Sequence, residues 1–246
     1  MSLTVVEVLE RSKQGRTEPY ICRCDDDKVY FVKGRSATRY ELIAEWLCAR
    51  LGEAFGLPIA PHGIATVPVE LIEADLTGWL GDLGGGEVFA SQRVGAVELT
   101  ETHRDLVPQK LRRDVIAFDW WVHNGDRNMT PKGGNPNLLW NPAGDGSLVV
   151  IDHNLAFDPK FSADDFLKLH VFADDIPGMF SDFLLRNEYA TRFAVTLGKW
   201  NEICDTVPDA WRFIDPEQTI PVEFSIPDIK AFLDRVLTDT FWNLPT

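Results

Sequence analysis

Four residues with carboxylate or amide side chains occur within one stretch near the middle of the sequence, between Asp126 and Asp152. Asp126 follows a predicted helix, Asn135 and Asn137 precede the apolar stretch NLLW, and Asp152 follows the stretch LVVI. If the two apolar stretches form antiparallel strands joined by the turn NPAGDG, the end of the second strand returns beside the start of the first. The spacing therefore predicts that Asp152 lies near Asn135 and Asn137, with Asp126 on the neighbouring loop.

Oxygen atoms of this kind suit phosphoryl transfer. That reaction needs a carboxylate near the accepting hydroxyl and separate oxygen ligands for a Mg²⁺ ion that bridges the nucleotide phosphates. Asp126 fits the first role, and Asp152 with Asn135 or Asn137 fits the second. Each residue alone is more often structural, because N-G-D is a common turn and an Asp after a strand often only caps it. The combination is what indicates a phosphate and metal site.

Two upstream residues fit the same chemistry. Lys33 ends the predicted strand VYFVK, where alternation puts it on one face with Val29 and Phe31, the face expected to look inward. A lysine there could reach nucleotide phosphates, although a lysine at a strand end usually extends to water. On the next helix Glu45 lies nearer the apolar stripe than Glu41, so we expect Glu45 to pair with Lys33.

A third feature is the segment RSKQGRTEP near the N-terminus. Gly15 is flanked by Lys13, Arg16 and Thr17, and the backbone amides and basic side chains of such a loop could cover phosphates. The signal is weak by itself, because the chain has no G-x-G-x-x-G sequence.

The elements that must position these residues fall into two parts. Up to residue 94 we predict a small mixed part, with a hairpin YICRC/KVYFVKG around an acidic turn and one helix from TRYEL to EAFGLP. The stretches HGIATVPVELI and GEVFASQRV are predicted as strands, the latter connecting the parts near residues 88–94. Residues 95–246 are predicted to be mainly helical, with a helix PQKLRRDVIAFDWWVHNG before Asp126 and only helices after Ser162.

Composition limits the classes of function. The 38 acidic and 24 basic residues give a net charge of −14, which argues against direct nucleic-acid binding. The four cysteines include no C-x-x-C pair, so we interpret them as buried thiols. The N-terminal stretch MSLTVVEVLERSKQG lacks the apolar core and the small-residue cleavage site of a signal peptide, and no apolar run approaches the roughly 20 residues that cross a bilayer. We therefore expect a cytoplasmic protein that does not bind membranes.

The order Lys33, Glu45, HNGDRN, NPNLLW and VVIDH resembles the HipA-like kinases, distant relatives of the protein kinases and phosphatidylinositol kinases. The segment FDWWVHNGDRN…NPNLLW carries the most specific part of the resemblance, which spans residues from about 10 to 160. It implies an α+β, bilobal, protein-kinase-like fold, with a small mixed sheet and helix N-lobe (residues 1–94) and a larger, mainly helical C-lobe (residues 95–246).

The resemblance also implies roles. Asp126 would orient the substrate hydroxyl and accept its proton, and Asp152 would bind metal where protein kinases have the Asp of D-F-G. Asn135, or else Asn137, would be the second metal ligand, since MTPKGG lengthens the loop. Lys33 would contact the α- and β-phosphates of ATP, and Glu45 would hold it. The hinge beside adenine would comprise Gln92, Arg93 and Val94.

Other residues around the loop have open roles. Arg127 would either bridge to a phosphate or Asp152, or form a salt bridge that braces the loop. His123 is predicted to interact with the last carbonyls of its helix. His153 stands where a Phe follows the metal-binding Asp in protein kinases, while His62, His103 and His170 show no pattern.

The resulting hypothesis is an ATP- and Mg²⁺-dependent kinase that phosphorylates Ser or Thr of a protein. The alternatives are a pseudokinase that binds nucleotide or a partner without transfer, and a kinase of small molecules or lipids. Lys33, Asp126 and Asp152 are all present, which counts against a pseudokinase. The sequence leaves the acceptor and the oligomeric state open.

Overall fold

The computed structural model describes residues 3–13, 17–130, 133–142 and 147–244. Helices and strands both occur, so the predicted α+β class is confirmed. The chain divides into two compact units that interleave along the sequence. The first comprises Met1–Trp46, Ala60–Val94 and Val207–Phe224, and the second comprises Leu47–Ile59, Gly95–Thr206 and Ser225–Thr246. By comparison, the sequence suggested a single division after residue 94.

The described residues of the first unit include the strands of one sheet, and two α-helices begin among them. They are β1 (Leu3–Arg11), β2 (Tyr20–Cys24), β3 (Val29–Lys33), α1 (Arg39–Phe55), β4 (His62–Val67), α2 (Val69–Glu73) and β5 (Gly86–Gln92). The β2–β3 hairpin and the helix α1 were predicted and are confirmed. The prediction was wrong for residues 69–73, which form α2 instead of continuing a strand, because Pro68 ends the ladder and begins the helix.

The five strands form a closed barrel in the order β1-β2-β3-β5-β4. Four of the pairings are antiparallel, and the parallel pairing of β1 with β4, at Leu3↔Ala65 and Thr4↔Thr66, closes it. Small and apolar side chains fill a core to which every strand contributes. These are Val5, Tyr20, Cys22, Cys24, Tyr30, Val32, Ala65, Val67, Leu80, Leu83, Val88 and Ala90. Closure leaves no strand of this barrel with an unpaired edge.

The segment after β3 is fixed by the loop before β5. The amide of Arg35 donates to the carbonyl of Leu83 at 3.1 Å, and the amide of Ser36 donates to that of Asp82 at 2.9 Å. A Cβ on Gly34 would lie 2.1 Å from the Leu83 oxygen, so only glycine permits this approach. The backbone directly after Lys33 is thereby tied to the loop.

Residues 207–224 pack on the first unit through aromatic side chains. Trp211 is fully buried, and its Nε1 donates to the carbonyl of Glu87 at 2.9 Å. Phe224 meets Tyr40 of α1 edge to face, with ring centroids 4.9 Å apart. These contacts explain why a segment late in the sequence belongs to the unit built from its start.

The second unit contains short strands and most of the helices. They are β6 (Val97–Glu98), α3 (Glu101–Arg104), α4 (Gln109–Val122), β7 (Asn128–Thr130), β8 (Gly133–Asn135), β9 (Leu138–Asn141), β10 (Ser147–Val150), α5 (Ala163–Leu169), α6 (Ile176–Ser181), α7 (Phe183–Leu197), α8 (Trp200–Cys204) and α9 (Ile226–Leu233). Short 3-10 helices lie at Ala173–Asp175, Asp209–Arg212, Asp234–Leu237 and Asp239–Trp242, the second of them in the first unit. The predicted antiparallel pair of β9 and β10 is confirmed, and Ser162, after which helices were predicted, is the N-cap of α5.

Helix α4 is the centre of the second unit. Its residues 114–122 are all buried, and the indole N–H groups of Trp120 and Trp121 donate to carbonyls of Phe241 and Leu233. Arg235 in turn donates to the carbonyls of Trp120 and Trp121, both at 2.7 Å. The last carbonyls of α4 therefore have a half-buried guanidinium as partner, and its positive charge stabilises the negative end of the helix dipole.

No helix in the described part of the chain is long and apolar enough to cross a membrane.

The approach of Gly34 to Leu83 can be tested directly. Gly34→Ala must displace backbone, because its methyl group would clash with a carbonyl oxygen, and we expect a loss of about 1–3 kcal/mol in the free energy of unfolding. Urea denaturation measures it. Gly95→Ala is the matched control, since no atom lies within 4 Å of the added Cβ. An equal effect of the two substitutions would contradict the close approach.

Candidate functional site

The first group of predicted residues is the pair of Lys33 and Glu45. Lys33 Nζ lies 2.7 Å from Glu45 Oε2, and the two side chains are only 9% and 4% exposed. Glu41 is engaged elsewhere, because its carboxylate accepts from the amide and hydroxyl of Thr38, while the amide of Glu41 donates to Thr38 Oγ1. This reciprocal arrangement is a capping box that begins α1. Glu45, one turn further, is thus left to meet the lysine.

The expectation that Val29, Phe31 and Lys33 face inward was wrong. Alternation does place them on one face, but Tyr30 and Val32 on the opposite face fill the barrel core. Lys33 lies on the outer face of the barrel, where it is covered by α1 and paired with Glu45. The physical reason is closure, because a barrel filled with apolar side chains leaves no room for an ammonium group.

The predicted phosphate loop is described only in part. Gly15 and Arg16 lie outside the described residues. Lys13 is exposed and Thr17 is buried. The base of the loop is closed by a hydrogen bond from the Ser12 amide to the Pro19 carbonyl at 2.8 Å. Its role with phosphates stays a prediction.

The predicted hinge residues lie at the end of β5 and just after it. The amides of Gln92 and Arg93 donate to the carbonyls of Pro61 and Val29, at 2.7 and 2.8 Å. These two N–H groups are therefore used within the first unit. Val94 is the last residue of that unit's second segment and is half-buried. A contact of these three residues with adenine stays a prediction.

In the second unit, the loop that carries Asp126 starts at a sharp end of α4. His123 adopts the left-handed conformation with φ of 52°, and its amide donates to the Asp119 carbonyl. The side-chain amide of Asn124 donates to Asp119 Oδ1 at 2.8 Å. Gly125 is exposed and Asp126 is half-buried, so Asp126 lies near the protein surface just after the end of α4.

Both candidate asparagines meet Asp126. Its Oδ2 accepts from Asn135 Nδ2 at 2.8 Å and from Asn137 Nδ2 at 3.1 Å. Asn128, which sequence reasoning missed, supports this arrangement: its Nδ2 donates to the Asp126 carbonyl and its Oδ1 accepts from the Asn135 amide, both at 3.2 Å. The antiparallel pairing of β7 with β8 places Asn128 opposite Asn135. The lengthened loop is thus a small hairpin that returns Asn135 to Asp126.

Asp152 lies where the paired strands were expected to bring it. It follows β10 in the left-handed conformation, with φ of 57°, and the preceding amide of Ile151 donates to the Asn137 carbonyl at 3.2 Å. Burial raises the pKa of Asp126, and the nearby charge of Asp152 raises it further, while the hydrogen bond from Asn137 and the charge of Arg127 act in the opposite direction. The net shift of the pKa is upward, and the contribution of the Asp152 charge to it shows that the two carboxylates are close enough to repel each other.

The choice between the asparagines stays open. Asn137 is buried and has a φ of 47°, whereas Asn135 is exposed. Each is oriented with its Nδ2 toward Asp126, an assignment that follows from the hydrogen bonds, and its Oδ1 is the atom that suits a metal. The preference for Asn135 remains a prediction. Pro131 and Lys132, inside the lengthened loop, lie outside the described residues.

The two expected roles of Arg127 can be compared with its contacts. The side chain is fully enclosed, and its Nε lies 2.6 Å from Asp119 Oδ2. Its Nη1 donates to the backbone carbonyls of Pro136, Asn137 and Ile151. Arg127 therefore forms the salt bridge that braces the loop, which is one of its two expected roles. The other role, a bridge to a phosphate or to Asp152, stays a prediction.

Two histidines of the second unit are fixed by backbone and ring contacts. His123 interacts with the end of its helix as predicted, since its amide donates to the Asp119 carbonyl, while its ring stacks on Phe161 with centroids 4.1 Å apart and meets Phe232 edge to face. Burial, with the charge of Arg235, lowers the pKa of His123 to about 3. His170, which showed no sequence pattern, is buried with Nε2 3.2 Å from Asp119 Oδ2. Burial lowers the pKa of His170, although Asp119 opposes the shift.

The set of oxygen donors fits Mg²⁺. In the described part of the chain, no three side chains of His, Cys, Asp or Glu are grouped so that they alone could hold a metal ion. Magnesium instead takes one or two carboxylates and completes its shell with water and substrate phosphates. Asp152 and the amide oxygen of Asn135 or Asn137 supply such a set, with Asp126 beside them. The repulsion between Asp126 and Asp152 is what a divalent cation would relieve.

Comparison with known proteins agrees with this chemistry. The family model described as HipA-like kinase matches residues 5–245. A search of curated proteins found no match. The crystal structure of a Helicobacter pylori proinflammatory kinase, CtkA, has a TM-score of 0.51 and 11% identity, covering 96% of this chain and 92% of that one. The crystal structure of the Golgi casein kinase has a TM-score of 0.50 and 14% identity, covering 96% and 71%. At these identities the likeness is one of fold.

The raised pKa of Asp126 has a measurable consequence for stability. A carboxyl whose pKa is higher in the folded state stabilises the fold when protonated, and this contribution is lost as the pH rises through the folded-state pKa. Asp126→Asn should therefore raise the Tm slightly at pH 7 without ligand. The difference should vanish below about pH 4, where the unfolded chain is protonated too. Asp174→Asn, at a side chain that is 87% exposed, is the control. A lower Tm for Asp126→Asn at pH 7 would contradict the repulsion.

Proposed function

Because the chain belongs to the HipA-like kinase family, we propose that it transfers the γ-phosphate of ATP, with Mg²⁺, to a Ser or Thr hydroxyl of a protein. The observation that carries the proposal is the convergence of Asp126, Asn135, Asn137 and the segment of Asp152 at the end of α4. Positioning and neutralisation of charge are what phosphoryl transfer requires of a protein, and this cluster offers both.

Asp126 is proposed to orient the acceptor hydroxyl and to take up its proton. Its Oδ2 is held by two amide groups, so the carboxylate has a defined direction. The upward shift of its pKa, which arises from burial and from Asp152, makes the carboxylate a better proton acceptor than an exposed aspartate.

Asp152 is proposed to hold Mg²⁺, together with the amide oxygen of Asn135 or Asn137. When bound, Mg²⁺ would supply positive charge that neutralises the phosphate oxygens. Asp152 is fixed by a left-handed backbone, and the Ile151 amide ties its segment to Asn137. The protein thus presents these ligands from two segments whose backbones are hydrogen-bonded to each other.

Lys33 is proposed to contact the α- and β-phosphates. Its ammonium group is nearly enclosed and is held by Glu45 at 2.7 Å. A buried lysine with a carboxylate partner keeps its charge and a fixed position, both of which a surface lysine lacks. Gly15, Arg16, Lys13 and Thr17 would cover the phosphates, as proposed from the sequence.

The choice of a protein acceptor is supported by the similarity in fold to the Golgi casein kinase, whose name states a protein substrate. The net charge of −14 favours a basic protein over an anionic lipid surface as partner. A small-molecule or lipid acceptor would appear in the assay below as transfer to such a compound and to no protein.

Binding and transfer can be separated by experiment. We expect Mg-ATP at about 100 times its Kd to stabilise the fold by roughly 2.7 kcal/mol, seen as a rise in Tm. Asp152→Ala should remove most of this rise. Asp126→Ala should keep it and abolish transfer of labelled phosphate to the protein itself or to proteins of a lysate, because it removes only the group that handles the hydroxyl.

Asp164→Ala, an exposed aspartate of α5, is the matched control and should behave as wild type. A protein that binds Mg-ATP but neither transfers phosphate nor hydrolyses ATP would be a pseudokinase. The absence of any rise in Tm would refute nucleotide binding altogether.

A further inference from the structure

Arg127 follows Asp126 directly, yet its side chain points away from solvent into the second unit. The guanidinium has no exposed surface, and Asp119 of α4 is only 1% exposed. Besides its bond to Asp119, Arg127 Nη1 donates to the carbonyl of Pro136 at 3.2 Å and to that of Asn137. The carbonyl of Ile151 also accepts from Nη1, at 3.3 Å.

His153 completes these contacts. Its Nε2 lies 3.1 Å from Arg127 Nη2, and because a guanidinium can only donate, the ring nitrogen accepts. The ring of His153 meets Phe118 of α4 edge to face, with centroids 5.6 Å apart. The residue directly after Asp152 is therefore fixed between Arg127 and the central helix.

Asp119 is held in turn by groups on other elements. Its Oδ2 accepts from Arg127 and His170, and its Oδ1 accepts from Asn124. The Phe172 amide donates to Nδ1 of His170, so the proton of that ring lies on Nε2 and points to Asp119. Burial tends to raise the pKa of Asp119, but the charge of Arg127 and the hydrogen bond of His170 hold it below its usual range. We refer to Arg127, Asp119, His153 and His170 as the Arg127 cluster.

The Arg127 cluster connects two segments that carry different proposed ligands. The carbonyls of Pro136 and Asn137 belong to the segment of the candidate amide ligands, and Ile151 and His153 flank Asp152. Only arginine has several N–H groups in one rigid plane, so a single side chain can hold both segments, and a lysine cannot reproduce the geometry.

We propose that Arg127 is a positioning residue for the metal site, which sets the distance between Asp152 and the asparagines through their backbones. This inference rests on the proposed function. Residues that orient metal ligands from behind typically change metal affinity or activity by about 10–100-fold when they are replaced. Arg127 touches neither the acceptor nor the phosphates in this role, and its effect is on the affinity for Mg²⁺.

A purely structural role would also make substitutions destabilising, so stability cannot decide the matter. The decisive quantity is the Mg²⁺ concentration at half of the maximal rise in Tm, at a fixed saturating concentration of the β,γ-imido analogue of ATP. We expect Arg127→Lys to raise this midpoint about tenfold or more, while the rise in Tm with the analogue in EDTA stays as in wild type. The KM for Mg²⁺ in the transfer assay should rise in parallel.

Arg192→Lys is the matched control. Arg192 pairs with another buried aspartate of α4, Asp114, and also donates to a backbone carbonyl, that of Phe55, but it contacts neither ligand segment. It should lower the Tm and leave the Mg²⁺ midpoint unchanged. Asp119→Asn, which keeps the shape but removes the counter-charge of Arg127, is the second variant and should raise the midpoint like Arg127→Lys.

Three outcomes would overturn the inference. Wild-type Mg²⁺ midpoints in Arg127→Lys and Asp119→Asn would show that the cluster only stabilises the fold. The same holds if both variants fail to fold under conditions in which Arg192→Lys folds. An equal rise of the midpoint in Arg192→Lys would make the effect nonspecific. If wild type itself shows no Mg²⁺-dependent rise in Tm, the proposed function fails instead, which is a separate result.

Discussion

The burial of Arg127 beside Asp119 constrains the rest of the candidate site. A fully enclosed guanidinium must have a counter-charge and acceptors for its N–H groups, since removing one partner of a buried ion pair costs about 3–5 kcal/mol. Asp119 supplies the charge, and two separate backbone segments supply the carbonyls. In the arrangement that satisfies the guanidinium, Asn137 and Asp152 lie beside the loop of Asp126.

The same site contains a conflict that the fold tolerates. Asp126 and Asp152 repel each other, and burial of Asp126 adds to the cost of its charge. The Asn135 and Asn137 amides offset part of this cost by donating to Asp126. Arg127 holds the backbones of the site rigid, while the carboxylates of Asp126 and Asp152 leave it with excess negative charge. Such a site is suited to a divalent cation, and its unfavourable charge is an example of stability lost for function. The contrast with the neutralised pair of Lys33 and Glu45 is clear.

The local sequence pattern correctly predicted those features of the fold that depend on residues close together in the sequence. The β9 and β10 pair was recognisable from two apolar stretches and a turn, and it correctly brought Asp152 toward Asn137. Closure of the barrel was not predictable, because the parallel pairing of β1 with β4 joins distant residues and leaves no local signal. Asp119 and His170 were missed for a similar reason: Asp119 lies in the buried half of α4 and His170 at the end of α5, and only packing shows that they meet. The expectation that the face of β3 with Lys33 looks inward was wrong, because closure of the barrel places the core on the opposite face of that strand.

The most direct measurement is a crystal structure grown with Mn²⁺ in place of Mg²⁺ and the β,γ-imido analogue of ATP. Anomalous scattering locates Mn²⁺ without reference to the protein. The predicted result is a peak at coordination distance, about 2.0–2.3 Å, from a carboxylate oxygen of Asp152 and from Oδ1 of either Asn135 or Asn137, with Asp126 beside it. A peak that contacts neither Asp152 nor an asparagine, or the absence of a peak when the nucleotide is bound, would contradict the proposal that these residues form the metal site of a kinase.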